Sequence, residues 1–435
     1  MMSDTEIRDI LVERIDRQSQ SVGIVVGIVS ATGQRVVSWG KVSRDETRQP
    51  DENTVFEIGS IGKVFTALLL AEMARTGEVA LDDPVANYLP EAVTMPQRGG
   101  RQITLQDLAT HTSGLPRLPS NLEIVERANP YAHYSVDQLY QFLSHHELIR
   151  EIGSQYEYSN LGAGLLGHVL ARRAGTDYET LARTRICDPL NMDSTRIALS
   201  PELKARCATG HNPAGQPVPM WDIPTLAGAG ALRSTTHDLM VFVAANLGLR
   251  ASPLADAMTA MRAVRRNIGL GTDVALGWHI TTRDDHEIVW HNGGSDGFRT
   301  FAGYELKAAA GVVVLSNMGT VAGVDDIGMH MLNPKYPLFK AIARRAIAVD
   351  PGIFDGYVGR YELAPALVVT VAREGDRLFI KAGNDPLFEL FPESTRDFFL
   401  EVTDAQVTFE LDTVGRATGL ILHQNGRDTP AKRID

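Results

Sequence analysis

Hydrophobic positions along this chain follow two spacings, and the changes between them mark its predicted elements. Residues 5–20 predict an amphipathic helix, because four apolar residues share one of its faces: Ile7, Ile10, Leu11 and Ile15. A continuous apolar run at 23–29 then predicts a buried strand, and the β-branched residues within 35–42 predict its hairpin partner.

The middle of the chain, from residue 60 to about residue 245, has mainly helical spacing interrupted by loops rich in Pro and Gly. Residues 161–174 give the clearest helix. Strand-like runs return further on, at 274–277, 287–290, 300–305 and 311–316. An antiparallel sheet built from both ends of a domain, with a helical block inserted between them, predicts an α/β sandwich over residues 1–335.

A second domain is predicted after this sandwich. Residues 336–352 predict a basic linker helix that ends at the Pro351-Gly352 pair. Six short strands separated by turns follow within 353–435, at 366–372, 377–382, 387–391, 398–402, 407–411 and 419–423. A meander of this kind predicts a small, all-β antiparallel barrel.

The composition is that of an ordinary globular protein, with 44% hydrophobic and 22% charged residues among 435. This length exceeds the usual single-domain range, which agrees with two domains. A formal net charge of -11, with no basic cluster, argues against nucleic acid or an anionic membrane surface as partner. No run reaches the roughly 18 apolar residues of a membrane span, and the sequence leaves a homo-oligomer open.

Cysteine and histidine usage argues against a disulfide framework and a metal site. Cys187 and Cys207 are too few for such a framework, and two free thiols are favoured over one bridge. No metal-ligand spacing occurs among the cysteines and the twelve histidines, so neither a metal nor a cofactor is expected. The polar amino terminus has no apolar signal region, which predicts a cytoplasmic protein as written. Prior removal of a signal peptide would instead make it periplasmic or secreted.

Candidate chemistry starts with the string S-I-G-K at 60–63, which opens an apolar helix. Residues three apart lie on one helical face, so Lys63 would stand beside the Ser60 hydroxyl and serve as its base. Ser38 and Lys41 repeat the pattern on a predicted strand, where alternation points the two side chains in opposite directions. Taken alone, Ser60 is equally well explained as a helix cap beside an exposed Lys63.

Tyr158 and Asn160 come directly before the helix at 161–174 and add candidate partners. A neighbouring lysine ammonium would favour the phenolate of Tyr158, which could then accept the Ser60 proton. Asn160 offers an amide that can donate to a substrate carbonyl or fix Lys63. The alternative for Tyr158 is a half-buried packing residue.

The third candidate segment is H-N-G-G at 291–294, directly after the strand at 287–290. Glycine lets a ligand approach the backbone of a strand closely, and the N–H groups of Gly294 and Ser60 would together form an oxyanion hole. The alternative is a glycine-rich turn with an incidental His291. His111, in the H-T-S-G segment at 111–114, is assigned to capping or packing rather than to reaction.

Together these segments resemble the serine β-lactamase-like hydrolases, which include class C β-lactamases, related carboxylesterases and D-amino-acid peptidases of the penicillin-binding type. The matching motifs are S-x-x-K at 60–63, Y-x-N at 158–160 and H-x-G at 291–293, with accessory phrases at 81–85, 111–114 and 230–235. The resemblance spans about residues 5–335. Residues 353–435 resemble the lipocalin-like barrel that is appended to some members.

The resemblance implies acyl transfer through a covalent serine ester. The implied roles are nucleophile for Ser60, shared base for Lys63 and Tyr158, oxyanion donor for Gly294, and substrate positioning for Asn160, His291 and Gly293. Class C β-lactamases have lysine where this chain has His291, and a histidine is only fractionally charged at neutral pH. This departure lowers the expectation of an efficient β-lactamase.

The expected activity is therefore hydrolysis of small esters or amides, of the carboxylesterase or β-lactamase type, by an enzyme that is open to several substrates. Its partners would be a small-molecule ester, a β-lactam or a peptide. One alternative is a D-amino-acid-specific peptidase. A second alternative is a β-lactam-binding sensor that is acylated without turnover.

Overall fold

The structure is a computed structural model that describes residues 2–126, 128–320, 322–340, 344, 346–364, 367–383, 387–400, 405–424 and 427–435. It divides into two compact units. One comprises Met1–Asn267 and Gly271–Asn333, and the other comprises Ile268–Leu270 and Pro334–Asp435. Each unit contains its own cluster of buried apolar side chains.

Strands of the first unit are β1 (Gly23–Ser30), β2 (Gly33–Gly40), β3 (Val55–Glu57), β4 (Gln97–Arg98), β5 (Arg101–Gln102), β6 (Gly210–His211), β7 (Pro217–Val218), β8 (Arg233–Thr235), β9 (Arg266–Gly269, whose last two residues are assigned to the second unit), β10 (Thr272–Val274), β11 (His279–Arg283), β12 (His286–Gly294), β13 (Arg299–Glu305) and β14 (Ala310–Ser316). Eight of them form one sheet in the order β2-β1-β14-β13-β12-β11-β10-β9. β1 pairs antiparallel with β14, placing Ile24 opposite Ser316. The predicted sheet from both ends of the domain is confirmed, because these two apolar strands are neighbours in the sheet and are buried.

Helices of the same unit are α1 (Asp4–Val12), α2 (Gly62–Arg75), α3 (Leu105–Ala109), α4 (Val136–His145), α5 (Asn160–Ala174), α6 (Tyr178–Ala182), α7 (Asp188–Leu190), α8 (Pro201–Ala205), α9 (Thr236–Asn246), α10 (Ala255–Met261) and α11 (Asp325–Leu332). Wider π-type turns cover Glu13–Arg17 and Arg183–Cys187, and 3₁₀ turns cover Gly59–Ile61, Val85–Tyr88 and Ala227–Ala229. Phe65 of α2 stacks on Phe242 of α9 with ring centroids 4.5 Å apart. This stacking joins the helix that begins beside Ser60 to the helix that packs on the sheet.

Helix α5 agrees with the clearest helix predicted from the sequence, and its ends show why. The Ser159 hydroxyl caps its start by accepting a hydrogen bond from the Gly162 N–H at 2.8 Å. Gly175 adopts a left-handed conformation with φ of +69° at its end, which a residue without Cβ does at little cost. The predicted helix at 5–20 corresponds to α1 and the π-type turn that continues it.

The competing S-x-x-K string lies where the strand prediction placed it. Ser38 is in β2, which ends at Gly40, so Lys41 falls just beyond the strand. The Ser38 hydroxyl accepts a hydrogen bond from the Gln49 side-chain amide at 3.2 Å. Ser38 therefore belongs to the structure of the sheet.

The predicted linker helix at 336–352 is wrong for the residues that the structure describes there. Residues 341–343 and 345 lie outside the described residues, and the others up to 350 are not helical. Pro337 disfavours helical backbone at the residue before it. Further along, the Ile347 N–H donates to the carbonyl of Pro392 at 2.9 Å, and Arg344 forms an ion pair with Glu393 at 2.9 Å. These tertiary bonds outweigh local helix propensity.

The second unit begins with a 3₁₀ turn at Pro351–Gly356 and continues with β15 (Gly359–Ala364), β16 (Leu367–Glu374), β17 (Arg377–Ala382), β18 (Phe388–Pro392), β19 (Asp397–Leu400), β20 (Ala405–Leu411), β21 (Ala417–Gln424) and β22 (Arg427–Arg433). They form a closed barrel in chain order, which confirms the predicted small antiparallel barrel. The six predicted strands correspond to β16 through β21, although residues 366, 401 and 402 of those predictions lie outside the described residues. The sequence pattern missed β15 and β22, the two strands that close the barrel.

Aromatic rings fill the interior of this barrel. Phe409 stacks on Tyr357 with centroids 4.5 Å apart and meets Phe398 edge-on at 5.5 Å. Tyr361, which is also buried, donates its hydroxyl hydrogen to the Tyr357 carbonyl at 2.7 Å. The interior of an eight-stranded barrel has room for such side chains, so these rings form its core.

Cys187 is buried and Cys207 is half-buried, and both are free thiols, as the sequence predicted. Within the described ranges, every helix is too short or too polar to cross a bilayer. The same residues contain no group of three or more His, Cys, Asp and Glu side chains able to hold a metal ion.

Candidate active site

Ser60 lies on the tight 3₁₀ turn Gly59–Ile61 that leads into α2. Gly59 has φ of +51°, and a Cβ there would lie 2.6 Å from the backbone nitrogen of Gly294, so only glycine fits this turn. The N-cap residue of α2 is Ile61, and no side chain caps that end of the helix. The alternative of Ser60 as a helix cap is therefore wrong.

Lys63 stands beside Ser60 one helical turn further on. Its Nζ donates to Ser60 Oγ at 2.8 Å and to the Ala229 carbonyl at 2.7 Å. The side chain is only 3% exposed, which also contradicts the exposed lysine of that alternative. Burial, reinforced by the positive charge of Arg117, holds the pKa of Lys63 well below its usual range. A neutral amine with a free lone pair is the form this environment favours.

Tyr158 completes the group of polar side chains around Ser60. Its ring centroid lies 4.9 Å from Lys63 Nζ, and its hydroxyl interacts with Ser60. Burial raises the pKa of Tyr158 to about 12, against the smaller lowering effects of the Ser60 hydrogen bond and of Arg117. The expectation that a lysine would favour the phenolate is thus wrong, because desolvation penalises the charged ring more than its neighbours stabilise it.

Asn160 begins α5 and points its amide toward the same region. Its Nδ2 donates to the Tyr131 hydroxyl at 3.0 Å, while its Oδ1 is buried without a hydrogen-bond partner in the described structure. Lys63 is held by Ser60 and Ala229 instead, so fixing Lys63 is not what Asn160 does here. A buried oxygen left in this state is a ready acceptor for a donor on a bound ligand.

His291 is buried in β12, with 1% of its surface exposed. Burial, followed by the nearby His279 and Lys63, holds its pKa well below the usual range. Its Nδ1 donates to the Asn292 carbonyl at 2.5 Å, which fixes the neutral tautomer with the proton on Nδ1. The imidazole is consequently uncharged at neutral pH.

Gly293 and Gly294 end β12 next to the turn that carries Ser60. A Cβ on Gly293 would lie 2.0 Å from the carbonyl oxygen of Ile58, a distance that no real contact allows. Thr300 on β13, opposite Gly293, donates its hydroxyl hydrogen to the same carbonyl at 3.0 Å. The strand and the serine turn are therefore in direct backbone contact, and the Gly294 N–H lies beside the Ser60 turn.

A narrow cleft opens at these residues. It is lined by Glu57, Gly59, Ser60, Tyr131, Asn160, Trp221, Ile223, Ala229, Gly230, Gly294 and Ser295. Three predicted site residues thus reach the cleft: Ser60, Asn160 and Gly294. Lys63 contacts Ser60, the Tyr158 hydroxyl interacts with Ser60, and the His291 ring lies 6.2 Å from the Tyr158 ring.

Sequence reasoning missed Glu57, a buried carboxyl on the cleft wall. Its Oε1 accepts the Trp221 N–H at 2.6 Å, and Arg233 approaches it at 3.8 Å. Burial raises the pKa of the Glu57 carboxyl. The nearby Ser295 lowers that pKa by a smaller amount, although its hydroxyl has no hydrogen-bond partner of ordinary geometry in the described structure. The signal that could have indicated Glu57 is its position as an acidic residue at the end of the apolar strand Val55–Glu57.

Tyr131, Trp221 and Arg117 were also missed, because each lies on a loop without a motif. Tyr131 and Trp221 both line the cleft, and their rings are in contact with centroids 5.5 Å apart. His111 was assigned correctly: its Nδ1 accepts the Ser159 N–H at 3.1 Å, and its ring packs 4.6 Å from that of Tyr158. His111 thus supports the start of α5.

A serine, a buried lysine and a tyrosine that meet beside strand β12 of an antiparallel sheet define a serine hydrolase of the β-lactamase-like superfamily. A sequence model of the Beta-lactamase family matches residues 9–327, well over half of the chain. The chain therefore belongs to the Beta-lactamase family, and the resemblance inferred from its motifs is confirmed. A second model, described as a domain of unknown function (DUF3471), matches residues 343–433.

Individual relatives agree with this family. The chain is 28% identical over 439 residues to Penicillin-binding protein 4* of Bacillus subtilis (strain 168), covering 91% of each. It is 29% identical over 317 residues to the D-alanyl-D-alanine-carboxypeptidase/endopeptidase AmpH of Escherichia coli (strain K12), covering 68% of this chain and 80% of that one. A solved structure of a Beta-lactamase/D-alanine carboxypeptidase from Yersinia pestis, complexed with citrate, aligns with a TM-score of 0.64 at 26% identity, over 72% of this chain and 92% of that one.

Proposed function

We propose that this protein hydrolyses small esters or amides through an acyl-enzyme on Ser60. The observation that carries the proposal is the 2.8 Å contact between Lys63 Nζ and Ser60 Oγ, made by a lysine whose surroundings favour the neutral amine. A hydroxyl is a weak nucleophile until a positioned base accepts its proton. Lys63 is that base, because the raised pKa of Tyr158 keeps the phenol protonated at neutral pH.

In the first half-reaction, the 2.8 Å hydrogen bond between Lys63 Nζ and Ser60 Oγ reverses, so that the hydroxyl donates to the amine lone pair. Ser60 Oγ then bonds to the substrate carbonyl carbon while its proton passes to Lys63 Nζ. The N–H groups of Ser60 and Gly294 stabilise the oxyanion that develops. The bond to the leaving group then breaks, and the Lys63 ammonium returns its proton to the leaving group through the Tyr158 hydroxyl. This hydroxyl interacts with Ser60, and the centroid of its ring lies 4.9 Å from Lys63 Nζ. Water attacks the ester in the second half-reaction and regenerates Ser60 with the same proton carriers.

Esters and strained or activated amides are the substrates that this site suits best. A lysine at the position of His291 would hold a substrate carboxylate with a permanent charge, whereas the buried His291 is neutral. A dedicated β-lactamase is therefore less favoured than a broad esterase or amidase. The second candidate is a D-amino-acid peptidase, which the names of the AmpH and Yersinia pestis relatives favour.

Ser60→Ala tests the nucleophile, and Ser38→Ala is its matched control, since Ser38 belongs to the other S-x-x-K string. Wild type and Ser38→Ala should be labelled by a fluorophosphonate or a β-lactam, with the added mass on the peptide that contains Ser60, and Ser60→Ala should not. Labelling that persists in Ser60→Ala would refute the assignment. A panel of p-nitrophenyl esters, nitrocefin and D-alanyl peptides then separates the candidates, and an acylation burst without steady turnover would indicate a β-lactam sensor instead.

A further inference from the structure

Trp221 lies on the irregular segment between β7 and the 3₁₀ turn at Ala227–Ala229, outside any strand or helix. Side chains therefore bind both of its backbone polar groups. Glu57 Oε1 accepts the Trp221 N–H at 2.6 Å, and Arg233 Nη2 donates to the Trp221 carbonyl at 2.7 Å. Backbone groups without a partner in a helix or sheet need such bonds, so these two side chains fix the course of the segment.

Glu57 and Arg233 also contact each other. They are opposite residues of the antiparallel pair β3 and β8, and their charged groups lie 3.8 Å apart. Both are buried, with 5% and 7% of their surfaces exposed. Arg233 is held further by the Ile197 carbonyl at 2.6 Å and lies 3.7 Å from the exposed Asp222. Oε2 of Glu57 has no hydrogen-bond partner in the described structure, so the carboxyl holds Trp221 through Oε1.

The indole of Trp221 forms an apolar wall of the active-site cleft together with Tyr131 and Ile223. Lys63 and Tyr158, which return a proton to the leaving group, are not among the described residues that line this cleft. A leaving group must face Tyr158 to receive that proton. The cleft would therefore receive the other part of the substrate, which is the acyl group.

We propose that Glu57 and Arg233 position Trp221, and that they thereby set a preference of the cleft for substrates with an unbranched apolar acyl chain. This inference rests on the acyl-hydrolase function proposed for Ser60. A narrow cleft with an apolar wall suits a slim chain, and each methylene buried there adds to binding. Glu57 and Arg233 are positioning residues, because they act on the substrate through the indole of Trp221.

The test compares p-nitrophenyl butyrate with p-nitrophenyl acetate, which share a leaving group and differ by two methylenes. The readout is the ratio of their kcat/KM values, which cancels any effect on the chemistry common to both. Wild type should favour the butyrate by about 10-fold, and Glu57→Ala should reduce that preference to about 2-fold or less. Glu57→Gln keeps an acceptor for the Trp221 N–H, so it should retain most of the preference.

A double-mutant cycle shows whether Glu57 acts through Trp221. Trp221→Ala should remove the preference by itself, and adding Glu57→Ala to it should change the ratio no further. Glu305→Ala is the matched control, since it removes another buried glutamate at the end of a strand, one bound to His286 at 2.8 Å and not to the cleft. It should leave the ratio unchanged. An unchanged ratio in Glu57→Ala, or a further fall in the double variant, would overturn the proposal.

Glu57→Asp gives the same comparison if Glu57→Ala does not fold. It keeps the charge beside Arg233 but withdraws the oxygens from Trp221 by one methylene, so it should also lower the ratio. A wild-type ratio in Glu57→Asp would overturn the proposal as well. The function itself would fail differently, through hydrolysis of both esters that survives Ser60→Ala.

Discussion

Lys63 donates to two oxygens at once, Ser60 Oγ at 2.8 Å and the Ala229 carbonyl at 2.7 Å, from a side chain that is almost fully buried. The carbonyl fixes where Nζ points, and the helix α2 fixes how far it stands from Ser60. The amine is consequently held in place before any substrate arrives. Such preorganisation spares the reaction the cost of arranging its base.

The pH dependence of kcat/KM should identify this base. Protonation removes the lone pair of Lys63, so activity should fall as the pH drops through its lowered pKa and should be level above that pKa. A tyrosine base would instead give a rise that continues toward the Tyr158 pKa of about 12. The measurement is hydrolysis of a p-nitrophenyl ester between about pH 5 and about pH 10.

Tyr158→Phe serves as the control for this profile. It should lower kcat/KM by about 100-fold to 10,000-fold and leave the acidic limb in place, since Lys63 remains. A wild-type profile with no plateau below about pH 10 would contradict Lys63 as the base.

Gly293→Ala should separate the strand from the serine turn. Its Cβ would lie 2.0 Å from the Ile58 carbonyl oxygen, so β12 or the turn must move, at a cost of about 1–3 kcal/mol in stability. A displacement of this kind at reacting groups lowers activity by about 100-fold. Ester hydrolysis and urea unfolding measure the two effects.

Gly77→Ala is the matched control for that substitution. Gly77 has φ of +76° but nothing within 4 Å of its Cβ position, so alanine there should cost about 1 kcal/mol through backbone strain alone and spare activity. If Gly293→Ala kept full activity, the close contact between the strand and the Ser60 turn would not matter for catalysis.

Phe409→Ala should destabilise the barrel selectively. Phe409 is fully buried between Tyr357 and Phe398, and removing such a ring costs about 3–5 kcal/mol. Two unfolding transitions, only one of them shifted, are expected in calorimetry, while labelling of Ser60 should persist. Val414→Ala, at a side chain that is 84% exposed, should shift neither. A single cooperative transition that moves as a whole would contradict separate stability of the two units.

The sequence predicted those parts of the fold whose residues carry their own pattern. Residues 23–29 and 311–315 are continuously apolar, and strands of this kind are buried within a sheet whose faces are covered. The helix that follows Ser60 could be predicted equally well from the sequence. Local geometry sufficed there, because i and i+3 on one helix lie together whatever the rest of the chain does.

The parts that could not be predicted depend on distant partners. β22 reads R-D-T-P-A-K-R, without an apolar alternation, and it forms a strand because β15 and β21 are there to pair with it. Glu57 becomes a cleft residue only through Trp221, and Arg117 contacts the site only through Tyr158. No residue spacing in the sequence indicates that these pairs of residues are in contact. The raised pKa of Tyr158 escaped prediction likewise, since it arises from burial in the folded protein.

The pairing of Ile24 with Ser316 also sets an order of events during synthesis. A ribosome releases roughly 5–20 residues per second, so β1 emerges roughly 15 to 60 seconds before its partner β14 exists. The hairpin with β2 covers one of its edges at once. The other edge, apolar and open, must be kept from pairing with a neighbouring nascent chain until Ala310–Ser316 has left the ribosome.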